Sequence, residues 1–261
     1  MKKIIFVFLF LSVGFTPSNY VLVKTLPETC NYFTTDNLQN LYLVKNNLLE
    51  EFDENGNLLK TYSNNSLGNI SYVDATNPLK IILFYSDFSQ IVFLDNTLSQ
   101  NGSPVSLSDI GLSQAQLICS SNNNGTWIYN AQNFELVRID QSLQKTQQTG
   151  NISQLLSITL NPNFLLEYNG KVYLNNPSSG ILVFDIYGTY YQTIPIKNLN
   201  NFQINGNTLY YFTDDKFGSF NTKTLKQQTY TLPDTNVISV NIQKDRLYLQ
   251  KKNEVEIYAS H

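Results

Sequence analysis

Apolar and polar positions alternate along this chain in short runs, and the runs recur. A β-rich apolar triplet is followed, nine to twelve residues on, by a second apolar anchor. The triplets are Leu41-Tyr42-Leu43, Ile81-Ile82-Leu83, Thr126-Trp127-Ile128, Val172-Tyr173-Leu174, Leu209-Tyr210-Tyr211 and Leu247-Tyr248-Leu249. The second anchors are Phe52-Asp53, Phe93-Leu94-Asp95, Ile139-Asp140, Phe184-Asp185, Phe220-Asn221 and Ile257-Tyr258. Central triplet residues are 40, 45, 46, 37 and 38 positions apart. The alternation predicts half-buried strands, and turn residues cut each repeat into several of them.

A period near forty residues with four short strands per unit predicts an all-β, six-bladed β-propeller. One unit cannot bury both faces of its sheet, but neighbours stacked in a ring can. Strands are lettered A to D from the ring's centre outward. In the second unit A covers 70–75, B 80–85, C 90–94, and D lies near 105–107. Asn169-Gly170, Asn205-Gly206 and Lys244-Asp245 mark A–B hairpins, and Glu54-Asn55-Gly56-Asn57 and Ile186-Tyr187-Gly188 mark C–D turns. The last unit has A, B and C but no D. Its D strand is predicted at the other end, over 20–26, because Lys24-Thr25-Leu26-Pro27 resembles Tyr230-Thr231-Leu232-Pro233 at the end of the fifth unit's D strand. That strand would pair the last open edge and close the ring. Two connections exceed their siblings. Residues 108–114 could hold one helical turn capped by Ser108 or Asp109, and 147–156 also lengthens the chain between blades.

Even repeats leave no gap for a linker, so residues 15–261 read as one domain. Lys2 and Lys3, the apolar run Ile4 to Leu11 and the small residues Ser12-Val13-Gly14 form the pattern of a secretory signal peptide over 1–14. About 12 apolar residues fall short of the ~20 that a membrane-spanning helix needs, so no transmembrane segment is expected in the mature chain. Removing that segment leaves 15 basic against 20 acidic side chains. A mildly acidic chain argues against nucleic acid, which calls for clustered Lys and Arg. Only 14% of residues are charged, against about 25% in an average domain, so Asn, Gln, Ser and Thr must cover the surface. Cys30 and Cys119 are the two cysteines. They are placed on inner strands of non-adjacent blades, too far apart to bridge, and are expected as separate buried thiols.

Candidate chemistry is sparse. The one histidine, His261, is the last residue, which leaves catalytic triads and imidazole metal sites without a candidate. No phosphate loop or nucleophile elbow occurs, and no cofactor or metal is expected. Asp53-x-Asn55-x-Asn57 begins like a calcium loop but lacks its sixth-position Gly and twelfth-position Glu. The repeated Asp53, Asp95, Asp140 and Asp185 are expected to organise C–D turns by accepting backbone N–H bonds two residues on. Phe88, Phe217 and Tyr187 fall in expected turns, where a large apolar side chain has no packing duty. They are the interface candidates. Asp87, Asp214 and Asp215 share the B–C loops with the two phenylalanines. They could form a polar rim or gather a cation.

The triplet anchors and Phe/Ile-Asp-x-x-Gly turns resemble the six-bladed propellers of the NHL and TolB-like type, over Tyr20 to the C-terminus. Enzymes of that architecture line the central channel with Glu, Asn, Asp or His. Here the inner strands offer Thr34-Thr35-Asp36, Tyr72-Val73-Asp74, Ser120-Ser121 and Glu167, which does not reproduce their metal sites. The lightly charged, Asn-rich style is similar to that of periplasmic propellers that dock on outer-membrane machines. The resemblance therefore implies a non-enzymatic, periplasmic interaction module with a large outer-membrane protein as partner. Specific forms are the accessory subunit that plugs a protein-secretion translocon and a barrel-assembly scaffold. The alternative is a propeller enzyme or glycan-binding protein holding a cation or sugar in its channel through Asp36, Asp74 and Glu167.

Overall fold

The computed structural model describes residues 20–214 and 216–260. The expected signal peptide over 1–14, Asp215 and His261 lie outside the described residues. The chain begins with β1 (Tyr20–Leu26). Blade 1 is β2 (Tyr32–Thr35), β3 (Leu41–Lys45), β4 (Leu48–Phe52) and β5 (Leu58–Ser63). Blade 2 is β6 (Tyr72–Asp74), β7 (Ile81–Tyr85), β8 (Gln90–Leu94) and β9 (Val105–Ser106). Blade 3 is β10 (Ala115–Ser120), β11 (Thr126–Asn130), β12 (Glu135–Ile139) and β13 (Lys145–Gln148). A short helix, α1 (Ile152–Leu156), leads into blade 4, which is β14 (Phe164–Tyr168), β15 (Lys171–Asn176), β16 (Gly180–Asp185) and β17 (Tyr190–Ile194). Blade 5 is β18 (Phe202–Asn205), β19 (Thr208–Thr213), β20 (Lys216–Asn221) and β21 (Gln227–Tyr230). Blade 6 adds β22 (Ser239–Gln243), β23 (Arg246–Gln250) and β24 (Val255–Ser260), with β1 as its outer strand. The six antiparallel four-stranded sheets are the predicted six-bladed propeller.

The repeat works through burial. Each triplet lies in a B strand, and the second anchors close the C strands of blades 1 to 5 and lie within β24 in blade 6, the two strands covered on both faces by neighbouring blades. All five residues of β7 and of β11 are buried. Outer strands such as β5 and β21 are largely exposed and polar. The core is therefore six apolar layers, one between each pair of blades. Between blades 1 and 2, Tyr42, Val44 and Leu49 meet Val73, Ile81 and Leu83. Between blades 6 and 1, Tyr248, Val255 and Ile257 meet Phe33, Leu41 and Leu43, with Leu26 of β1 in the same layer.

Closure uses both ladder and side chains. β1 pairs with β24 from Tyr20↔Ser260 to Leu26↔Val255, with a bulge between Leu22 and Lys24. The bulge and Lys24 blunt an otherwise open edge. Across the same seam, Thr35 donates to Asn241 at 2.7 Å and the Gln39 amide to Asp245 at 2.6 Å. The Tyr248 hydroxyl donates to the Gln39 carbonyl at 2.7 Å, and Gln250 to the Cys30 carbonyl at 3.0 Å.

The long connections differ in part from expectation. Ser108–Ile110 forms a 3-10 turn, but neither Ser108 nor Asp109 caps it. Leu107 occupies the cap position, and Gly111 ends the turn at φ 71°. The connection to blade 4 carries α1, whose cap is the Asn151 side chain, accepting from Gln154 N–H.

Both cysteines are free. Cys119 is buried on inner strand β10, as expected. Cys30 is only half-buried and sits on the connection before β2 rather than on the strand. Register explains this, because β2 begins only at Tyr32, where pairing with Val44 starts. Burial pushes the Cys30 thiol up to about 11, against a smaller lowering by Lys45. Burial also pushes Cys119 upward. Since the thiolate is the reactive form, native Cys30 is expected to alkylate slowly at pH 8 and faster as the pH rises toward 11. Cys119 is expected to react only on unfolding. Mass spectrometry of iodoacetamide-treated native and urea-unfolded protein checks both, and a rapidly alkylated native Cys119 would contradict its placement.

Candidate functional site: the loop faces of the ring

Antiparallel meandering strands give the ring two faces. B–C loops and D–A connections gather on one, and A–B and C–D turns on the other. Phe88 ends a 3-10 turn, Ser86–Phe88, in the B–C loop of blade 2. It is 56% exposed, and Asp87 beside it is exposed too. Gly68, at φ 74°, makes room for the ring, since a Cβ there would stand 3.2 Å from a Phe88 ring carbon.

Phe217 does not join it. The side chain is buried in the layer between blades 5 and 6, with Val237, Val240, Leu247 and Leu249. It stacks on Tyr210 with ring centroids 6.1 Å apart and packs against Tyr230 at 5.7 Å. The cause is hairpin length. Blade 5 closes its B–C hairpin at the Thr213↔Lys216 pair, so Phe217 is the second residue of β20 and its side chain turns inward. Asp214 is exposed in that turn at φ 50°, and Asp215 lies outside the described residues. Tyr187 is 70% exposed but belongs to the C–D turn of blade 4, on the opposite face. Of the described candidates expected in B–C loops, Phe88, Asp87 and Asp214 are on that face and Phe217 is not, while Tyr187 lies in the C–D turn expected for it.

The same face carries apolar groups that the turn rule missed. Phe134, in the B–C loop of blade 3, is 39% exposed and sits at φ 54°. That left-handed conformation suits glycine and costs a bulky residue of order 1 kcal/mol. Its carbonyl accepts from Ile152 N–H at 2.8 Å, tying the loop to α1, where Leu155 is 57% exposed. Phe134 follows Ala131-Gln132-Asn133, a polar turn much like the one before Phe88. The criterion that selected Phe88 would have selected it.

Inside the ring, aromatic side chains from four inner strands meet. Tyr32 of blade 1 stacks on Tyr72 of blade 2, with centroids 6.3 Å apart and planes 8° from parallel. Phe164 of blade 4 meets Tyr72 edge-on at 6.2 Å and Phe202 of blade 5 at 5.0 Å. Burial raises both phenols, Tyr32 and Tyr72, well above the ordinary tyrosine range. The carboxylates near the channel are engaged elsewhere. Asp36 is buried and accepts from Leu38 and Asn40 N–H, the Asn40 amide and the Tyr42 hydroxyl. Asp74 accepts from Thr76 and from Ser120 N–H of blade 3. Glu167 of blade 4 accepts from Ser121, Asn122 N–H and the Trp127 indole of blade 3. These three candidates are separate clasps within and between blades. Among the described residues, no three Asp, Glu, His or Cys side chains gather as a cation site.

The repeated aspartates take the structural role expected of them. Asp53, Asp95, Asp140 and Asp185 each accept N–H groups from two and four residues on. Asn221 does the equivalent in blade 5 through Lys223 and Thr224 N–H. At Asp95, the Thr97 hydroxyl and the turn amides hold the carboxyl below its usual range.

With this geometry in view, the chain is similar in fold to many solved propellers. The sequence matches no known family. No curated protein matches it in sequence. The Pan2 WD40 domain of Neurospora crassa superposes with a TM-score of 0.67 at 8% identity, over 94% of this chain and 96% of that one. A virginiamycin B lyase from Staphylococcus aureus gives 0.58 at 13% identity, over 88% and 80%. BamB from Moraxella catarrhalis gives 0.58 at 9%, over 92% and 99%. Identities this low show the propeller fold alone. Among the described residues, no helix is long and apolar enough to cross a membrane.

Proposed function

We propose that this protein is a non-enzymatic docking module of the cell envelope. It acts outside the cytoplasm, seated on a large outer-membrane protein as an accessory or plug subunit of a protein-secretion translocon. Phe134 carries the docking part of this reading. A large aromatic side chain held part-exposed in a left-handed loop conformation presents apolar surface to solvent, and strain of this kind collects where surfaces bind. Phe88 in the preceding blade and Leu155 behind it extend the apolar character of the same face. Buried aromatic anchors dominate many interfaces, and Asp87 and Asp214 supply acidic groups that would steer a basic partner. Placement in the envelope rests on the charged-then-apolar start of the sequence and on its lightly charged, amide-rich surface. A likeness to BamB is consistent with it.

The alternative of a cation or sugar held in the channel has less support. Aromatic rings from blades 1, 2, 4 and 5 meet there, and Asp36, Asp74 and Glu167 are committed to hydrogen bonds of the scaffold.

A double substitution, Phe88→Ser with Phe134→Ser, is expected to leave the melting curve close to that of the parent, since neither side chain belongs to a core layer between blades. It is expected to weaken binding of the captured partner by about 2 kcal/mol or more, as loss of two anchors does at other interfaces. Affinities measured on the purified partner check this. Unchanged affinity in a folded variant would remove this face from the interface.

A further inference from the structure

On the opposite face, between blades 4 and 5, lies a cavity of ≈ 400 Å³ that none of the preceding roles uses. Its size falls within the range of small-ligand pockets, about 300–1,000 Å³. β15 contributes Lys171, β17 contributes Tyr191 and Gln192, and the turns of blade 5 contribute Asn207, Thr222 and Lys223. Tyr168 and Tyr173 form apolar wall, and the Tyr168 hydroxyl is fixed by accepting Gly206 N–H at 2.8 Å. Two features set the pocket apart. First, the chain has more acidic than basic side chains, yet this lining holds two lysines and no carboxylate. Among the described residues, neither ammonium enters an ion pair, as holds for most of the lysines on this surface, so both charges are open to a ligand. Asp185, directly across the ladder from Lys171, instead turns its carboxylate to the N–H groups of Tyr187 and Thr189. Second, Tyr191 is 62% exposed, with the Lys171 ammonium 4.1 Å from its ring centroid. A cation on one face holds the ring in place and leaves much of it in solvent as a platform.

We infer that this pocket binds an acidic saccharide, a sugar bearing a free carboxylate. The chemistry selects that class. The exposed tyrosine ring offers an apolar surface for a sugar's C–H face. Gln192 and Asn207 offer amide groups of both hydrogen-bonding senses for hydroxyls, and the Thr222 hydroxyl, which donates to the Asn207 carbonyl at 3.1 Å, remains an acceptor. The two ammoniums are point charges that would take the sugar's carboxylate; point charges hold phosphate as well, so the sugar-binding groups carry the choice of class and the phosphate arm of the titration tests it. This site lies off the channel and on the face away from Phe88 and Phe134, so it stands or falls independently of the docking interface.

The test is calorimetric titration of the whole folded protein with trigalacturonic acid, its fully methyl-esterified form and inorganic phosphate. Saturable binding of the free acid is expected, at least tenfold tighter than binding of the ester and weakening with added salt. Lys171→Gln with Lys223→Gln is expected to weaken it at least tenfold, and Tyr191→Ser likewise. Lys244→Gln, on another blade's turn, is expected to leave it unchanged. Melting curves confirm that each variant is folded. Absence of saturable binding, equal binding of the ester, or undiminished binding by the folded double variant would overturn the assignment. Phosphate binding as tightly as the acid would reduce the site to a general anion pocket and overturn the saccharide claim.

Discussion

A chain that begins at Pro27 is expected to be about 4 kcal/mol less stable than one that begins at Phe15. The estimate combines a lost edge ladder, at roughly 0.5–1.5 kcal/mol per hydrogen bond, with the lost burial of one leucine, about 2 kcal/mol. The ladder runs from Tyr20↔Ser260 to Leu26↔Val255. Most of β1 is exposed, so the strand contributes less through general apolar burial than its sequence suggests. Its one buried side chain, Leu26, is 4% exposed and packs with Phe33, Leu41 and Tyr248 at the seam between the last blade and the first. Without β1, β24 becomes an open edge of apolar character, and open edges recruit other strands. The shortened protein is therefore expected both to melt lower and to self-associate. Thermal melts and sedimentation of the two proteins check this. Identical melting would mean that the seam holds without its outer strand.

Glu167→Ala is expected to cost about 3 kcal/mol, at the upper end of the range for stranding buried polar partners. The carboxylate accepts the Trp127 indole N–H at 2.8 Å, the Ser121 hydroxyl at 2.5 Å and Asn122 N–H at 3.1 Å. Trp127 is fully buried, so its donor would have no water to turn to. Ser121 also accepts from buried Arg138 at 2.8 Å, and the loss would propagate to a charged group. Glu167→Gln keeps the acceptor oxygen and is expected to cost less. Urea unfolding of the three proteins checks the order. If the alanine variant were as stable as the parent, the link between blades 3 and 4 would lie elsewhere.

The architecture was legible because its signals are local and repeated. Leu41-Tyr42-Leu43 and its five counterparts mark strands buried on both faces. Asn169-Gly170 marks a hairpin whose residues sit at φ 49° and 75°. Even the displaced strand over 20–26 could be found, since its sequence repeats that of another outer strand. The binding faces were harder to read. Phe217 follows the charged run Asp214-Asp215-Lys216 and looks like a turn residue, but its fate depends on where the hairpin closes. With a side-chain period of two, a single position decides between solvent and core. Phe134 was legible by the same turn rule as Phe88, since it follows the polar turn Ala131-Gln132-Asn133, and only its left-handed backbone could not be read from the sequence. The pocket between blades 4 and 5 has no local signature at all. Lys171, Tyr191 and Lys223 come together only when two blades are stacked.

The docking claim is tested most directly by site-specific photocrosslinking in the native envelope. A benzophenone side chain in place of Phe88 is compared with one in place of Leu79, which is 70% exposed on the opposite face. The account predicts that position 88 yields one dominant adduct with a large outer-membrane protein and that position 79 yields none to it. An adduct to that protein from position 79 with none from position 88 would contradict the account.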